Sequence, residues 1–210
     1  MHKLDEDVNP VDVYNLVKKL NKDSYCRGII VQLPLPNQFT KEWQAVITDA
    51  IDMMKDVDGF KRGSIYTPCT PKGIMSILDS VFGTDKLNGV TACVIGRSAI
   101  VGKPTVDLLI DKGCTVISCN SHTKDLDKWL DQASIIVCAV GKKDFLSMRN
   151  KVWWAGKIVI DVGINRDEDG KLCGDCSRDL YDEIDLITPV PSGVGLMTRV
   201  SLLENVVEYL

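Results

Sequence analysis

Two glycines and an arginine follow a short apolar stretch in residues 94–109, VIGRSAIVGKPTVDLL. Gly96 and Gly102 predict a tight turn from a strand into a helix, where missing side chains let the backbone approach a ligand closely. A helix that begins near Lys103 would direct its free N–H groups and its positive dipole end at an anion. The glycine spacing differs from the G-x-G-x-x-G pattern of dinucleotide-binding turns, so a turn without a ligand is an open alternative.

The kind of anion is indicated by Arg97 and by the residues after the next predicted strand. NAD-binding folds carry an acidic residue there that binds the ribose 2′-hydroxyl, whereas this chain has Ser121, His122 and Lys124. A guanidinium beside a hydroxyl suits a 2′-phosphate. The pattern therefore favours NADP over NAD, with a merely solvated His122 and Lys124 as the alternative.

Three further segments combine polar residues with rigid turns. Gln32 ends a predicted strand and precedes two prolines, on the side of an α/β sheet where ligands bind. Asp56 and Asp58 precede a glycine; the alternative to a functional role is that both are turn residues bonded to local backbone. The segment TPVPSGVGLMT, residues 188–198, fits a rigid loop close to a ligand or a chain reversal before the last helix.

The composition is that of a globular protein, with 45% hydrophobic and 26% charged residues among 210. No apolar stretch approaches the roughly 20 residues of a membrane span, and no signal-like segment is present, so we expect a cytoplasmic protein without membrane contact. The net charge of −4 argues against a nucleic-acid partner. Most of the eight cysteines lie in apolar stretches, which fits a reducing compartment, and the isolated Cys173–Cys176 pair falls short of the four ligands of structural zinc, so no metal is expected.

Alternating hydrophobic periods predict the elements that would position these residues. Asn9–Pro10 predict the start of a helix to Leu20, and a second helix begins at Pro71 with Thr70 as its N-cap. Further helices are predicted over residues 41–53 and 197–210, and strands over residues 28–36, 91–95, 115–119, 135–139 and 157–162. Strands that are apolar on both faces indicate a doubly wound parallel α/β sheet covered by helices.

Six segments, in this order, closely resemble the methylenetetrahydrofolate dehydrogenase/methenyltetrahydrofolate cyclohydrolase family: GIIVQLPLP, KDVDGF, PCTPKGI, GRSAIVGKP, VIDVGIN and ITPVPSGVGLMT. The resemblance covers about residues 3–208. It implies the remainder of a truncated α/β catalytic, folate-binding domain over residues 1–75 and a Rossmann-type NADP-binding domain over residues 76–196. The helix over residues 197–210 would pack back onto the first domain.

The resemblance also implies roles for individual residues. Gln32, Asp56 and Asp58 would belong to the catalytic cluster, with Asp58 bound to the pterin. The nucleotide would lie against Gly96, Arg97, Ser98, Ser121 and Ile164. Folate would contact Leu33, Pro34, Pro191, Gly193, Val194 and Gly195.

The sequence departs from the family near its start. Relatives carry an earlier segment with a Tyr-x-x-x-Lys pair whose lysine activates water, and this chain begins after it. Tyr14 and Lys18 share the spacing but lie on the helix directly before the VQLPLP segment, so we expect no catalytic role for them. Only eight residues separate Gly59 from Pro68, where relatives have a longer connection.

These features predict an NADP-dependent enzyme that oxidises 5,10-methylenetetrahydrofolate to 5,10-methenyltetrahydrofolate. Hydride transfer mainly needs positioned reactants, whereas hydrolysis of the product needs proton transfer worth about 10² to 10⁴ in rate. Without the family's lysine we expect cyclohydrolase activity to be weak or lost. The alternatives are a non-catalytic NADP-binding or regulatory homologue and a shortened form of the bifunctional enzyme. Expected partners are tetrahydrofolate derivatives and a second copy in a homodimer that covers exposed strand edge.

Overall fold

The computed structural model describes residues 2–33, 35–61, 63–83 and 86–208. The chain divides into two compact units. Unit 1 comprises Met1–Pro68 and Leu202–Leu210, and unit 2 comprises Cys69–Ser201. In the described ranges every helix is too short or too polar to cross a lipid bilayer.

Unit 2 is built on a parallel sheet. Its described strands are β1 Thr91–Ile95, β2 Thr115–Cys119, β3 Ile135–Cys138, β4 Ile158–Asp161 and β7 Leu186–Ile187, while β5 Asn165–Arg166 and β6 Leu172–Cys173 form a separate antiparallel pair. The sheet order is β2-β1-β3-β4-β7 with every pair parallel. The chain therefore reverses its direction across the sheet at β1, and a topological switch point lies between β1 and β3. The predicted doubly wound sheet is confirmed.

The two faces of this sheet bury separate apolar clusters. In β3, Ile136 and Cys138 pack into one cluster, and Ile135 and Val137 into the other. All four side chains are fully buried, as expected for a central parallel strand with both faces covered. By contrast, β2 forms one edge of the sheet and exposes Thr115 and Ser118.

The helices of unit 2 are α3 Cys69–Phe82, α4 Gly102–Asp111, α5 Leu126–Gln132, a short 3₁₀ helix Arg178–Leu180 and the first part of α6 Val194–Val207. The predicted N-cap at Thr70 is wrong, because α3 already begins at Cys69. Inside the helix, the Thr70 hydroxyl lies 3.1 Å from the Thr198 hydroxyl. The last helix begins three residues earlier than predicted.

Unit 1 packs α1 Pro10–Lys22 and α2 Lys41–Asp49 around a small apolar cluster that includes Val13, Val17, Ile29, Phe39, Ile47 and Ile51. Asn9 caps α1 as predicted, with its side-chain oxygen accepting the Val11 N–H at 2.9 Å. Helix α2 ends at Asp49, earlier than predicted, with Ala50 as its C-cap. At the end of α6, the Asn205 amide donates to two carbonyls of unit 1, those of Val57 and Thr67.

The strand predicted at residues 28–36 is wrong for the residues described. Ile29 is buried, but residues 28–33 form no ladder with another described segment. A backbone bond from the Ile29 N–H to the Lys55 carbonyl, 2.7 Å, ties the segment to the turn after α2. An apolar stretch predicts burial, whereas a strand also needs a neighbouring strand to accept its hydrogen bonds.

Candidate active site at the carboxyl edge of the sheet

The turn from β1 into α4 lies at the switch point. Gly96 has φ +115°, a conformation that side chains rarely permit, and a Cβ there would collide with the carbonyl oxygen of Ala139 after β3. A Cβ on Gly102 would collide with the carbonyl oxygen of Gly96. Both glycines are therefore required by the close approach of this chain's own backbone, a reason that the sequence pattern alone does not reveal.

Ser98 accepts backbone N–H groups at the start of α4. Its Oγ accepts the N–H groups of Val101 and Gly102, both at 3.2 Å, and its carbonyl accepts the Lys103 N–H at 3.0 Å. These are N–H groups that a free helix start would offer to an anion. The turn is consequently held in one conformation by Ser98.

Arg97 and Ser121 lie at equivalent places in the turns that follow the adjacent strands β1 and β2. Ile95 pairs with Cys119, so the turns after β1 and β2 leave the same edge of the sheet. Both side chains are exposed, and Arg97 forms no ion pair with the residues described. The turn after β2 is ordered by Asn120, whose side-chain oxygen accepts the His122 N–H at 3.0 Å. This edge thus presents a guanidinium and a hydroxyl to solvent.

A cavity of about 460 Å³ lies at the same edge of unit 2. Its lining includes Val101 at the start of α4, the segment Asp161–Ile164 after β4 and the segment Pro189–Leu196 before and in α6. It brings together Ile164, predicted to contact the nucleotide, and Pro191 and Gly193–Gly195, predicted to contact folate. Ile164 is 71% exposed, which is unusual for isoleucine and places an apolar surface where a ligand could cover it.

Two buried carboxylates, Asp161 and Asp175, organise the loops around this cavity; we call them the carboxylate pair. Asp161 ends β4 and is fully buried. It accepts the N–H groups of Gly163, Asp175 and Cys176 at 2.9–3.0 Å. Burial raises the pKa of Asp161, and the three N–H donors together oppose that rise.

Asp175 is also fully buried and accepts three consecutive backbone N–H groups, those of Val140, Gly141 and Lys142, at 2.7–2.9 Å. The Asn165 side-chain amide donates to the same carboxylate at 2.9 Å. Neither carboxylate is among the candidate site residues predicted from the sequence. An aspartate that ends an otherwise apolar strand, as in IVID, was the available signal for Asp161.

The Cys173–Cys176 loop therefore has a structural explanation. Its Gly174 lies against the Asp161 carboxylate, which a Cβ would overlap, and Cys176 donates its N–H to that carboxylate. Within the described ranges, no group of three or more His, Cys, Asp or Glu residues could hold a metal ion.

In unit 1, Asp56 is buried and accepts the N–H groups of Phe60 at 3.4 Å and Lys61 at 2.8 Å. Burial raises its pKa, opposed by these hydrogen bonds. This geometry supports the alternative that Asp56 stabilises its own turn. Asp58 is half-buried, and Gln32 is exposed with its amide donating to the Leu33 carbonyl at 3.1 Å. Pro34 lies outside the described residues.

Lysines near Asp58 are engaged with backbone carbonyls. Lys55 donates to the carbonyls at the end of α1, 2.7–3.0 Å away, and Lys61 donates to the Ile51 carbonyl at 2.7 Å. Tyr14 and Lys18 instead line a separate cavity of about 730 Å³ in unit 1. Gln32 and Asp58 are not among the residues that line it.

Comparisons with known proteins match both parts of the chain. Residues 1–58 match the model of the tetrahydrofolate dehydrogenase/cyclohydrolase catalytic domain, and residues 68–210 match the NAD(P)-binding domain of the same family. The bifunctional protein FolD of Dechloromonas aromatica is 44% identical over 214 residues, covering 97% of this chain and 73% of that protein. FolD of Polaromonas naphthalenivorans is 47% identical over 212 residues, covering 96% and 73%.

Solved structures of the same family are similar to this chain over nearly its whole length. The bifunctional FolD methylenetetrahydrofolate dehydrogenase/cyclohydrolase of Campylobacter jejuni has a TM-score of 0.88 at 39% identity, covering 98% of this chain and 74% of that one. The Trypanosoma brucei enzyme, solved with NADP cofactor and inhibitor, has a TM-score of 0.84 at 29% identity, covering 97% and 73%. The resemblance carried by the six sequence segments is confirmed.

Proposed function

The chain belongs to the tetrahydrofolate dehydrogenase/cyclohydrolase family, and we propose that it oxidises 5,10-methylenetetrahydrofolate to 5,10-methenyltetrahydrofolate with NADP as the hydride acceptor. The observation that carries this proposal is the cavity at the carboxyl edge of the sheet, which Ile164 and the Pro191–Gly195 segment line together. Ligands of open α/β sheets bind at this edge, beside the switch point.

The residues of the cavity fit a reaction that depends on positioning. The bound dinucleotide supplies the hydride acceptor. The protein holds the reactants at this edge and excludes water with apolar groups, among them Ile164 and Val194. In the proposed assignment, residues 76–196 bind the dinucleotide through Gly96, Arg97, Ser98, Ser121 and Ile164. Residues 1–75 contribute Gln32 and Asp58 to folate binding.

Selection of NADP is assigned to Arg97. Its exposed guanidinium, beside the turn that carries Ser121, offers paired N–H donors to a 2′-phosphate. NADPH and NADH formation from methylenetetrahydrofolate tests this. Charge-assisted hydrogen bonds contribute about 1.5–3 kcal/mol, so Arg97→Ala should lower kcat/KM for NADP on the order of 10- to 100-fold and leave kcat/KM for NAD unchanged.

Arg149→Ala is the matched control, because Arg149 is an exposed arginine of the same unit that is not among the residues lining the cavity. It should change neither value. Equal losses with both dinucleotides would refute the assignment of Arg97, and a wild-type chain that reduces neither dinucleotide would refute the dehydrogenase itself.

We propose that a polypeptide of these 210 residues has weak cyclohydrolase activity. Hydrolysis needs a group that activates water and transfers protons, while Lys55 and Lys61 are occupied by carbonyls and Lys18 lines another cavity. The decay of methenyltetrahydrofolate absorbance, measured with Lys18→Met alongside the wild type, tests this. Fast hydrolysis that Lys18→Met abolishes would identify Lys18 as the missing group and overturn the proposal.

A cytoplasmic homodimer completes the proposal. All eight cysteines are unpaired, which fits a reducing compartment. The β2 edge, with Thr115 and Ser118 exposed, offers unpaired backbone groups to a second copy. Sedimentation of the purified chain at several concentrations measures the oligomeric state.

A further inference from the structure

We propose that the carboxylate pair, Asp161 and Asp175, positions the dinucleotide-binding edge of unit 2. In this role the pair holds the loop after β3 and the segment after β4 in the conformation that binds the dinucleotide. The inference rests on the proposed NAD(P)-dependent activity and adds two positioning residues to it.

The loop after β3 lies at the switch point. Ala139 directly follows β3. Its carbonyl oxygen lies so close to Gly96, the glycine of the proposed nucleotide turn, that a Cβ there would collide with it. The next three N–H groups, those of residues 140–142, all point to the Asp175 carboxylate. The buried Asp175 carboxylate therefore holds the backbone of residues 140–142 in place.

The same carboxylate also reaches the cavity wall. Asn165 follows Ile164, and its side-chain amide donates both to Asp175 and to the Gly174 carbonyl at 3.0 Å. Asp175 thus connects the loop after β3 with the segment that lines the cavity. A shift of the carboxylate would move both together.

Asp161 holds Asp175 in turn. Its carboxylate accepts the Asp175 N–H at 2.9 Å and the Gly163 N–H at 3.0 Å. This contact requires glycine at two positions. A Cβ on Gly163 would overlap the Asp175 carboxylate, and a Cβ on Gly174 would overlap the Asp161 carboxylate. The two glycines and two aspartates form one closely packed set.

The donors around the pair explain why these carboxylates are retained. Backbone N–H groups, supplemented by the Asn165 amide, contact all four carboxylate oxygens. A buried N–H that loses its acceptor costs about 1–3 kcal/mol, so the loop would rearrange rather than leave three such groups unpaired. The pair is therefore suited to fixing a backbone, and its oxygens are already occupied.

Asp175→Asn tests the proposal because it keeps the shape of the side chain and replaces one acceptor oxygen by a donor. We expect the Kd of NADPH, measured by fluorescence titration, to rise on the order of tenfold. The amide protons of residues 140–142 should exchange faster, while the amide protons of β1 and β3 stay protected.

Lys157→Met is the matched control. Lys157 is buried at the opposite, amino edge of the sheet, where its ammonium group donates to the carbonyls of Asp131 and Ala133 at 2.8 Å. It should lower the melting temperature of unit 2 and leave the Kd of NADPH unchanged. If Asp175→Asn fails to fold, Asn165→Ala removes one donor to the same carboxylate, and a smaller rise in Kd is then expected.

The outcomes separate the two proposals. A wild-type chain that binds neither NADPH nor NADH refutes the proposed function, and the positioning role falls with it. A wild-type Kd for NADPH in Asp175→Asn, or in Asn165→Ala if only that variant folds, refutes the positioning role alone. The same conclusion follows if Lys157→Met raises the Kd as much, because the effect then reflects stability only.

Discussion

Gly96 and Gln32 stand at the ends of two segments for which the sequence predicts the same structure. Gly96 follows β1, which is bonded to a strand on each side and buried on both faces. Gln32 follows residues 28–31, where the Ile29 N–H bonds to a turn and no ladder forms among the described residues. A residue after a paired strand has its position fixed by neighbouring strands, whereas Gln32 depends on its own short segment.

The difference shows what an apolar stretch specifies. It indicates that part of the stretch is buried, as Ile29 and Cys93 are, although Ile30 beside Ile29 is 45% exposed. It does not specify hydrogen-bond partners, which come from distant parts of the chain. We therefore expect substitutions in unit 2 to have larger effects on stability than matched substitutions in unit 1.

The largest effect is expected for Gly96→Ala. The positive φ and the collision with the Ala139 carbonyl should together cost about 3 kcal/mol or more of unfolding free energy. Gln32→Ala, the counterpart in unit 1, removes an exposed side chain and should stay within about 0.5 kcal/mol. Urea unfolding measures both. Similar losses for the two variants would contradict the contrast between the segments.

An intermediate effect is expected from a pair of identical core truncations. Ile136 in β3 and Ile47 in α2 are both fully buried. Because neighbouring strands prevent collapse, Ile136→Ala should lie near the upper end of the usual 2–5 kcal/mol, and Ile47→Ala near the lower end. Trp43 lies in unit 1 and Trp154 in unit 2, so single-tryptophan variants assign each transition. The reverse order would show that unit 1 is the more rigid core.

The smallest effect concerns pH. Burial raises the pKa of Asp161, and the ionisable groups that interact with it include Asp175, Cys138, Cys173, Cys176 and Tyr181. The folded carboxyl holds its proton more tightly than the unfolded one. The stability that its protonated form contributes at acid pH is therefore lost as pH rises from about 3.9 through the folded pKa.

Asp161→Asn removes this titration. As pH rises through the same range, the unfolding free energy of Asp161→Asn should fall less steeply than that of the wild type. This difference in slope is expected even if the variant is less stable at every pH. Melting temperatures of both proteins across that range provide the measurement. Parallel curves would show that Asp161 titrates alike in the folded and unfolded states.

The sequence predicted unit 2 well because its signals are local and repeated. The bounds predicted for β1 and β2 agree with the structure, and β3 and β4 differ only at their ends. Gly96, Ile164 and Pro191 each follow the carboxyl end of a parallel strand, and the segments with Ile164 and Pro191 line one cavity.

What could not be predicted depends on contacts between distant residues. Asp175 lies between Cys173 and Cys176, and its partners are the N–H groups of residues 140–142 and the side chain of Asn165. The Ser98 hydroxyl accepts the N–H groups of Val101 and Gly102 at the start of α4. Neither partnership leaves a periodic signal in the sequence.

Because of their distribution, the native cysteines can serve as probes of local opening. All six buried thiols, those of Cys69, Cys93, Cys114, Cys119, Cys138 and Cys176, belong to unit 2. Cys26 and Cys173 are partly exposed and should react first with an alkylating reagent. Mass spectrometry of the native chain during such labelling would measure how fast each later adduct forms. Those rates report how often local opening exposes the buried thiols of unit 2 to the reagent.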